Sequence, residues 1–304
     1  MTKERVIAVV VTHNRRELLV EALDSISAQR RAADSVVVID NASTDGTADL
    51  VRERYPDVTV RSTNRNLGGA GGFALGIATA LDLGADLIWL MDDDTVPKAD
   101  ALAELVSARA RYDAGPPALV ASRVVWTDGR DHPMNTPRPK PMVRHAEIAA
   151  AERCGCVPIR SASFVSVLVD ASVCVERGLP IADYFLWNDD FEFTTRLLRD
   201  RPGLLCPSSV VVHKTRTFGS TDADPGERFY FEVRNKIWML TRSPSLAPLE
   251  RLVYTGSTLR RWVRTFAASR NRRLLLRAMR RGIVAAVRSG PRSTNEILGR
   301  GGGT

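Results

Sequence analysis

The chain has 304 residues, of which 44% are hydrophobic and 26% are charged. This composition is that of a globular protein with enough residues for one large domain, and it excludes a mostly disordered chain. No stretch of the sequence reaches the roughly 18 apolar residues that a membrane-spanning helix requires, and the N-terminal apolar run is too short for a signal peptide. We therefore expect a cytoplasmic protein. Its four cysteines lack the spacing of zinc ligands and are expected to be reduced thiols.

The net charge of +8 is distributed unevenly along the chain. Residues 251–304 contain thirteen arginines and one acidic residue, Glu296, whereas residues 1–250 have a small net negative charge. The sequence thus predicts an acidic body with a strongly basic C-terminal region. We expect the body at residues 1–240, with halves at 1–125 and 126–240, and a basic helical region at 241–304.

Strands and helices alternate in the first half of the sequence. Short β-branched runs are typical of strands buried on both faces of a parallel sheet, and apolar residues at helical spacing follow them. The predicted strands are 5–11, 35–39, 58–62 and 87–91, and the predicted helices are 17–29, 47–55 and one that ends near residue 83. This alternation predicts an α/β fold with a mostly parallel central sheet and helices on both faces.

The second half of the sequence is less regular. Residues 127–150 are rich in proline and polar residues, and they predict a long surface loop of the kind that closes over a ligand. Beyond this loop we expect strands at 163–169 and 209–213 and helices at 191–198 and 227–240.

Polar residues follow each predicted strand of the first half. Ligands of open α/β sheets bind beyond the carboxyl ends of the strands, so these residues are the first candidates for a site. They are Thr12, Asn14 and Arg15 after the first strand, Asp40 after the second, Arg65 after the third, and Asp92, Asp93 and Asp94 after the fourth. Turn formation alone does not account for a polar cluster at every strand end.

The three adjacent aspartates indicate a metal site. Neighbouring carboxylates repel one another and are tolerated where a cation neutralises them. Asp92 and Asp94 are placed to bind Mg²⁺ or Mn²⁺ that also holds a diphosphate, and a solvated acidic turn is the alternative. His213 ends a predicted strand and is a candidate third ligand, although histidines at such positions are more often structural.

Two further segments carry candidate residues. Residues 64–76 contain five glycines, beginning with Gly68, ahead of a predicted helix. Glycine there lets a ligand approach the backbone at the positive end of the helix, and close helix packing is the alternative. Residues 184–192, YFLWNDDFE, place aromatic side chains against Asp189, Asp190 and Glu192. A carboxylate beside an aromatic wall can have a raised pKa and act as a general base.

Taken together, VVVTHNR, VIDNASTDGT, NRNLGGAGGF, WLMDDDT and YFLWNDDFEFTTRL resemble the family 2 inverting glycosyltransferases, which have the GT-A fold. The resemblance covers about residues 5–240, and NLGGAGGF and WNDDFE are most similar to actinobacterial galactofuranosyltransferases. It implies transfer of galactofuranose from UDP-galactofuranose to a polyprenyl-diphosphate-linked GlcNAc–rhamnose acceptor, at the start of cell-wall galactan. A rhamnosyltransferase that uses a dTDP-sugar is the alternative within the family.

The resemblance also implies a role for each candidate residue. The residues that would bind the UDP-sugar are Thr12, Asn14, Arg15, Asp40, Arg65, Gly68, Asp92 and Asp93. Asp92, Asp94 and His213 would hold the metal. Asp190 would remove a proton from the acceptor hydroxyl, with Asp189 as the alternative base, and Glu192 would orient the acceptor. The hydroxyl attacks the anomeric carbon with inversion, while the metal stabilises the charge on the departing UDP.

Two other classes of protein share part of this pattern. A sugar-phosphate nucleotidyltransferase has a similar fold and metal, but it usually places a glycine-rich basic loop where this chain has THNRREL. The arginine-rich C-terminal region suggests nucleic-acid binding, yet the body is acidic and contains no recognised motif, so no nucleic-acid partner is expected. The oligomeric state stays open, with a homo-oligomer as one option.

The basic region predicts amphipathic helices. From Leu259, apolar residues recur at helical spacing. They are Trp262, Val263, Phe266, Leu276, Met279, Ile283 and Val287. Arginines fill much of the remaining surface, so these helices can lie on an anionic bilayer with their aromatic side chains among the head groups. We expect peripheral association with the cytoplasmic face of the plasma membrane. The alternative is packing on the body, with the arginines solvated or paired to its acidic residues.

Overall fold

The computed structural model describes residues 4–215, 218 and 224–300. The strands in these ranges are β1 (Val6–Thr12), β2 (Ser35–Asp40), β3 (Thr59–Ser62), β4 (Leu87–Asp92), β5 (Thr95–Pro97), β6 (Leu119–Val125), β7 (Arg138–Pro139), β8 (Val157–Ser161), β9 (Val167–Asp170) and β10 (Gly203–His213). The helices are α1 (Arg16–Ser27), α2 (Thr47–Arg54), α3 (Gly68–Asp82), α4 (Ala101–Arg111), α5 (His145–Arg153), α6 (Ala171–Arg177), α7 (Asp189–Leu197), α8 (Phe229–Arg242), α9 (Pro248–Ala268), α10 (Arg272–Arg288) and α11 (Thr294–Leu298).

The strands form one sheet in the order β3-β2-β1-β4-β9-β6-β10-β8-β7, and β5 pairs with β10. The four strands from β3 to β4 are parallel. Farther along the sheet, β9 runs antiparallel to both β4 and β6, while β10 is parallel to β6. The predicted α/β fold is confirmed, and the carboxyl ends of β1, β2 and β4 lie side by side.

The sheet is covered by helices on both faces, as β1 shows. Val6, Ala8 and Val10 pack into one hydrophobic core with side chains of α1, α2 and α4. The alternate residues of β1 pack into a second core with side chains of α3 and α7. Every residue of β1 is buried, which explains why its sequence is continuously apolar rather than alternating.

Two local predictions were wrong in part. The segment 127–150 was expected to be a loop throughout, but it contains β7 and the first part of α5. The alanines of α5 favour a helix, and Ala150 and Ala151 are buried against the sheet. The strand expected at 163–169 is shorter and begins at Val167, and β8 was not predicted. Pro158 within β8 weakens its strand signal, because proline donates no hydrogen bond.

The C-terminal helices pack on the body instead of extending from it. Trp262 and Phe266 of α9 join Phe229 of α8 and Leu275 of α10 in a separate hydrophobic core. The expectation that Trp262 lies among lipid head groups is therefore wrong, because the protein interior covers it, whereas Phe266 is only partly buried. No helix in the described ranges is both long and apolar enough to cross a membrane.

Candidate active site

The ends of β1 and β2 form one rim of the candidate site. Thr12 and Asp40 are register partners at the ends of these strands, and both are buried. The backbone N–H of Ser43 donates to Asp40 Oδ1 at 3.1 Å, and the N–H of Thr44 donates to Asn14 Oδ1 at 2.7 Å. The structure thus brings Thr12, Asn14 and Asp40 together, and these bonds fix the loop after β2 against the end of β1.

Asp93 is bound within the protein by both carboxylate oxygens. Thr12 Oγ1 donates to Oδ2 at 2.8 Å, and Arg15 Nη1 donates to Oδ1 at 3.1 Å. Arg15 also donates to Asp94 Oδ2 at 2.7 Å, so its guanidinium partly neutralises the acidic cluster. Because Asp93 is engaged in this way, Asp92 and Asp94 are the aspartates of the cluster that remain for a cation, in agreement with the ligands expected from the sequence.

His213 approaches the same cluster from β10. One ligand atom from each of Asp92, Asp94 and His213 lies within 4.8 Å of the others. His213 Nδ1 is 2.8 Å from Asn135 Oδ1, and the Asn135 amide nitrogen donates to Ser163 Oγ at 3.1 Å. The Asn135 oxygen therefore faces the imidazole, so in the neutral ring Nδ1 carries the proton and Nε2 presents a lone pair. A metal-binding histidine is held in this tautomer.

Asp94 Oδ1 provides the test of whether these residues fit a metal. It is buried without a hydrogen-bond partner among the described residues, although His213 Nε2 is 3.0 Å away. When the imidazole is neutral, the two atoms face each other with lone pairs, an arrangement that a cation between them would stabilise. Adjacent ligands of an octahedral ion with bonds of about 2.1 Å are also about 3 Å apart. The residues therefore fit a divalent cation of the Mg²⁺ or Mn²⁺ type.

Without a cation, ionisation of Asp92 and Asp93 is unfavourable. Burial raises the pKa of Asp92 well above its usual range, and the charges of Asp94 and Asp93 raise it further. Burial also raises the pKa of Asp93 to about 6, against the opposing effect of Arg15. A bound divalent cation reverses this balance, because its charge favours ionised carboxylates.

The glycine-rich segment packs closely against its neighbours. Gly68 has a φ of +70°, and a Cβ at this position would overlap the backbone carbonyl of Phe185. The N–H of Ala70 donates to the same carbonyl at 3.3 Å. Cβ atoms at Gly72 and Gly76 would collide with valines of β1. For Gly72 and Gly76 the structure thus supports close helix packing, and Gly68 positions the loop that leads to α7.

Asp189 and Asp190 begin α7 and have different surroundings. Asp189 is buried beside the first turn of α3, and burial together with the charge of Asp190 raises its pKa to about 8. Asp190 is only partly buried. Burial raises the pKa of Asp190, but the backbone N–H of Phe191 and the charges of Lys236 and Arg138 oppose this rise. Asp190 is therefore the more accessible and the more readily ionised of the two.

Asn235, which the sequence analysis did not select, holds the loop before these aspartates. Its amide nitrogen donates to the carbonyl oxygens of Tyr184, Leu186 and Trp187 at 2.8–2.9 Å. The loop needs such support, because Trp187 and Asn188 both have positive φ angles. Asn235 is completely buried. It fixes the position of α7 relative to the rest of the site.

The structure does not place Glu192 where the sequence predicted it, and Arg65 makes no hydrogen bond to the other candidate residues within the described chain. Glu192 is completely buried, and it accepts hydrogen bonds from Arg196 Nε at 2.9 Å and Ser243 Oγ at 2.6 Å. This position suits a structural ion pair, and contact with an acceptor sugar is not available to it. Arg65 Nη2 lies 3.4 Å from the carbonyl oxygen of Ile297, on the side of α11.

The fold and the site define the class of protein. A parallel half-sheet ends in an aspartate cluster with a histidine ligand, and a second pair of carboxylates begins a helix beside it. The family model "Glycosyl transferase family 2" matches residues 7–164. A galactofuranosyltransferase of Mycobacterium tuberculosis, GlfT1, is 34% identical over 267 residues, which cover 81% of this chain and 85% of that protein. The chain belongs to glycosyl transferase family 2 and is a glycosyltransferase.

Solved structures agree with this fold. S. aureus TarS 1-349 in complex with UDP-GlcNAc superposes with a TM-score of 0.63 at 16% identity, covering 93% of this chain and 81% of that one. This chain spans 44% of a longer TarS chain. The mannosyltransferase PcManGT of Pyrobaculum calidifontis, in complex with GDP-Man and Mn²⁺, superposes with a TM-score of 0.52 at 20% identity, covering 98% of this chain and 79% of that one.

Proposed function

We propose that this glycosyltransferase transfers galactofuranose from UDP-galactofuranose to a polyprenyl-diphosphate-linked GlcNAc–rhamnose acceptor, as the first step of galactan assembly. The observation that carries this proposal is the similarity to GlfT1, which extends over four-fifths of the chain. The candidate metal site described above supports the use of a nucleoside-diphosphate-sugar donor, because a divalent cation can bind the diphosphate.

Each part of the site has a task in this reaction. Thr12, Asn14 and Asp40 offer polar groups for the uridine. Asp92, Asp94 and His213 would hold the cation, which supplies a Lewis acid for the leaving diphosphate. Asp190 would accept the proton of the acceptor hydroxyl as that hydroxyl attacks the anomeric carbon. Asp190 suits this task better than Asp189, because a general base must be ionised and reachable before the reaction begins.

A donor panel tests the proposal. The purified protein is incubated with Mn²⁺, the lipid-linked disaccharide, and UDP-galactofuranose, UDP-galactopyranose or dTDP-rhamnose in parallel. We expect galactofuranose transfer at a rate at least tenfold above that from the other two donors. A parallel reaction offers dTDP-rhamnose with polyprenyl-diphosphate-linked GlcNAc, the acceptor that lacks rhamnose. Transfer in that reaction alone would assign the chain to the preceding rhamnosyl step and overturn the proposed donor.

We further propose that α9 attaches the enzyme to the cytoplasmic face of the plasma membrane. Apolar side chains on its outer side are exposed along its whole length, at Leu249, Leu252, Val253, Leu259 and Val263. They lie within one arc of the helix. The exposed positions of α9 include arginines and no acidic residue, which suits the interface of an anionic bilayer. A lipid-linked acceptor presents its sugars at that surface.

A further inference from the structure

The outer surface of α10 contains a groove lined by arginines, with a volume of about 680 Å³. The arginines are Arg273, Arg277, Arg280, Arg281 and Arg288, and no acidic residue lines the groove. We call it the α10 groove. Five like charges in one groove repel one another. A groove of this composition therefore favours a ligand with several negative charges.

Most of these arginines have no ion-pair partner among the described residues. Arg281 forms an ion pair with Glu227 at 3.3 Å, and its guanidinium lies 5.4 Å from the centre of the Tyr230 ring. Arg273, Arg277, Arg280 and Arg288 form no ion pair within the part of the chain that the structure describes, unlike Arg261 and Arg292, which pair with carboxylates of the body. Their guanidinium groups are thus available to phosphate oxygens, which they bind bidentately.

Apolar side chains line the same groove. Leu276 and Val284 are about half exposed, and they lie between the arginines on the outer side of α10. Exposed aliphatic side chains beside unpaired guanidinium groups suit a ligand that combines an anionic group with a hydrocarbon chain. A free nucleotide or a sugar phosphate would use the charges and leave the apolar positions in water.

The α10 groove is rigidly connected to the candidate active site. Gly282 allows α10 to pack closely on α8, since a Cβ at this position would lie 2.8 Å from the Tyr230 carbonyl oxygen. Tyr230 lines the groove, and the next residue, Phe231, stacks on Phe185 with ring centres 5.2 Å apart. Phe185 belongs to the loop that precedes Asp189. A ligand in the groove is therefore connected through Tyr230 and Phe231 to the loop that leads into α7, the helix of the proposed base.

We propose that the α10 groove binds the diphosphate and the first isoprene units of the lipid that carries the acceptor sugar. This inference rests on the acceptor class proposed above. The guanidinium groups would bind the diphosphate oxygens, and Leu276 and Val284 would contact the isoprenoid chain. The groove thus positions the acceptor from its lipid end, while Asp190 acts at its sugar end.

Binding of farnesyl diphosphate tests the groove without turnover. The measurement uses the full chain in excess EDTA, so that the metal site does not hold the diphosphate. We expect the double variant Arg277→Gln, Arg280→Gln to raise the Kd at least about tenfold. The matched control Arg260→Gln, Arg270→Gln removes two exposed arginines outside the groove, and it should change the Kd less than twofold.

Competition identifies the chemistry of the ligand. Inorganic pyrophosphate should displace farnesyl diphosphate, and phosphatidylglycerol bicelles should not. Displacement by the bicelles alone would assign the groove to a phospholipid head group and overturn the proposal. Unchanged affinity in the Arg277 and Arg280 variant would overturn it as well.

Transfer kinetics separate this inference from the proposed function. The Arg277 and Arg280 variant should have a KM for the diphosphate-linked acceptor at least tenfold higher, with an unchanged kcat/KM for a soluble disaccharide glycoside that lacks the diphosphate. Equal loss with both acceptors would indicate a structural defect and contradict a role in lipid recognition. Failure of the wild-type protein to use either acceptor would refute the proposed function, while the farnesyl diphosphate result would still stand.

Discussion

His213 Nε2 and Asp94 Oδ1 lie 3.0 Å apart, and in the neutral imidazole the hydrogen bond from His213 Nδ1 to Asn135 Oδ1 leaves a lone pair on Nε2 that faces the carboxylate. If this contact is part of a metal centre, His213→Ala will remove a ligand and leave the fold intact. We expect at least a tenfold weaker Mn²⁺-dependent binding of UDP, measured as the UDP-induced rise in Tm at several Mn²⁺ concentrations. His145→Ala, at an exposed position of α5, is the matched control. An equal rise in Tm for both variants would remove His213 from the ligand set.

The assignment of the base predicts the behaviour of Asp190→Asn. The amide keeps the shape of the side chain and removes its basicity, so transfer should fall by about 10²–10⁴-fold. Binding of UDP with Mn²⁺ should stay unchanged, because Asp190 is not a predicted ligand of either. Asp57→Asn, on an exposed loop, controls for the substitution itself. Near-normal turnover of Asp190→Asn would show that Asp190 is not the base and would make Asp189 the candidate.

The raised pKa of Asp189 predicts a pH dependence of stability in the metal-free protein. Its pKa is about 8 in the folded chain, against 3.8 for an unperturbed aspartate. The folded state therefore binds this proton more tightly, and the contribution to stability is lost as the pH rises from about 4 to about 8.

Asparagine at position 189 does not titrate, so the variant Asp189→Asn should not lose stability in this way as the pH rises. The free energy of unfolding of Asp189→Asn, relative to wild type, should increase by at least about 1–2 kcal/mol between pH 5 and pH 8. Urea denaturation in EDTA at the two pH values measures it. A difference between variant and wild type that does not change with pH would show that Asp189 is not protonated in the folded protein.

The exposed face of α9 predicts how the enzyme attaches to membranes. Leu252→Gln with Val263→Gln should lower sedimentation with anionic liposomes several-fold, because both side chains are more than two-thirds exposed and would insert among the lipids. Val175→Gln, at an exposed position of α6, is the control. Undiminished binding of the double variant would show that this face of α9 does not attach the enzyme to the membrane.

The parts of the fold that follow from local sequence were predictable. The run at β1 is apolar at every position because both faces of the strand are buried, and strand, helix and rim residues follow one another along the chain. The side-chain partners Asn135 and Asn235 were not predictable. Asn135 acts on His213, 78 residues away, and Asn235 acts on a loop about 50 residues away. Neither residue differs in its local sequence from an ordinary surface asparagine.

The C-terminal helices show a second limit of prediction from the sequence. Helical spacing identifies apolar positions, but in a helix that is apolar on two sides it does not say which side packs on the protein. In α9, Trp262 faces the interior and the adjacent Val263 faces outward. Trp262 was therefore placed on the wrong side, whereas the exposed aliphatic residues and arginines keep the membrane hypothesis open to test.

The anomeric configuration of the product tests the central claim most directly. In the proposed reaction Asp190 would deprotonate one acceptor hydroxyl, which would displace UDP from the donor in a single step, so the configuration would invert. The measurement is the proton NMR spectrum of the disaccharide acceptor after reaction with UDP-α-galactofuranose and Mn²⁺, with a parallel reaction in excess EDTA. We predict a β-linked galactofuranose that forms only with the metal. An α-linked product, or equal product in EDTA, would contradict the account.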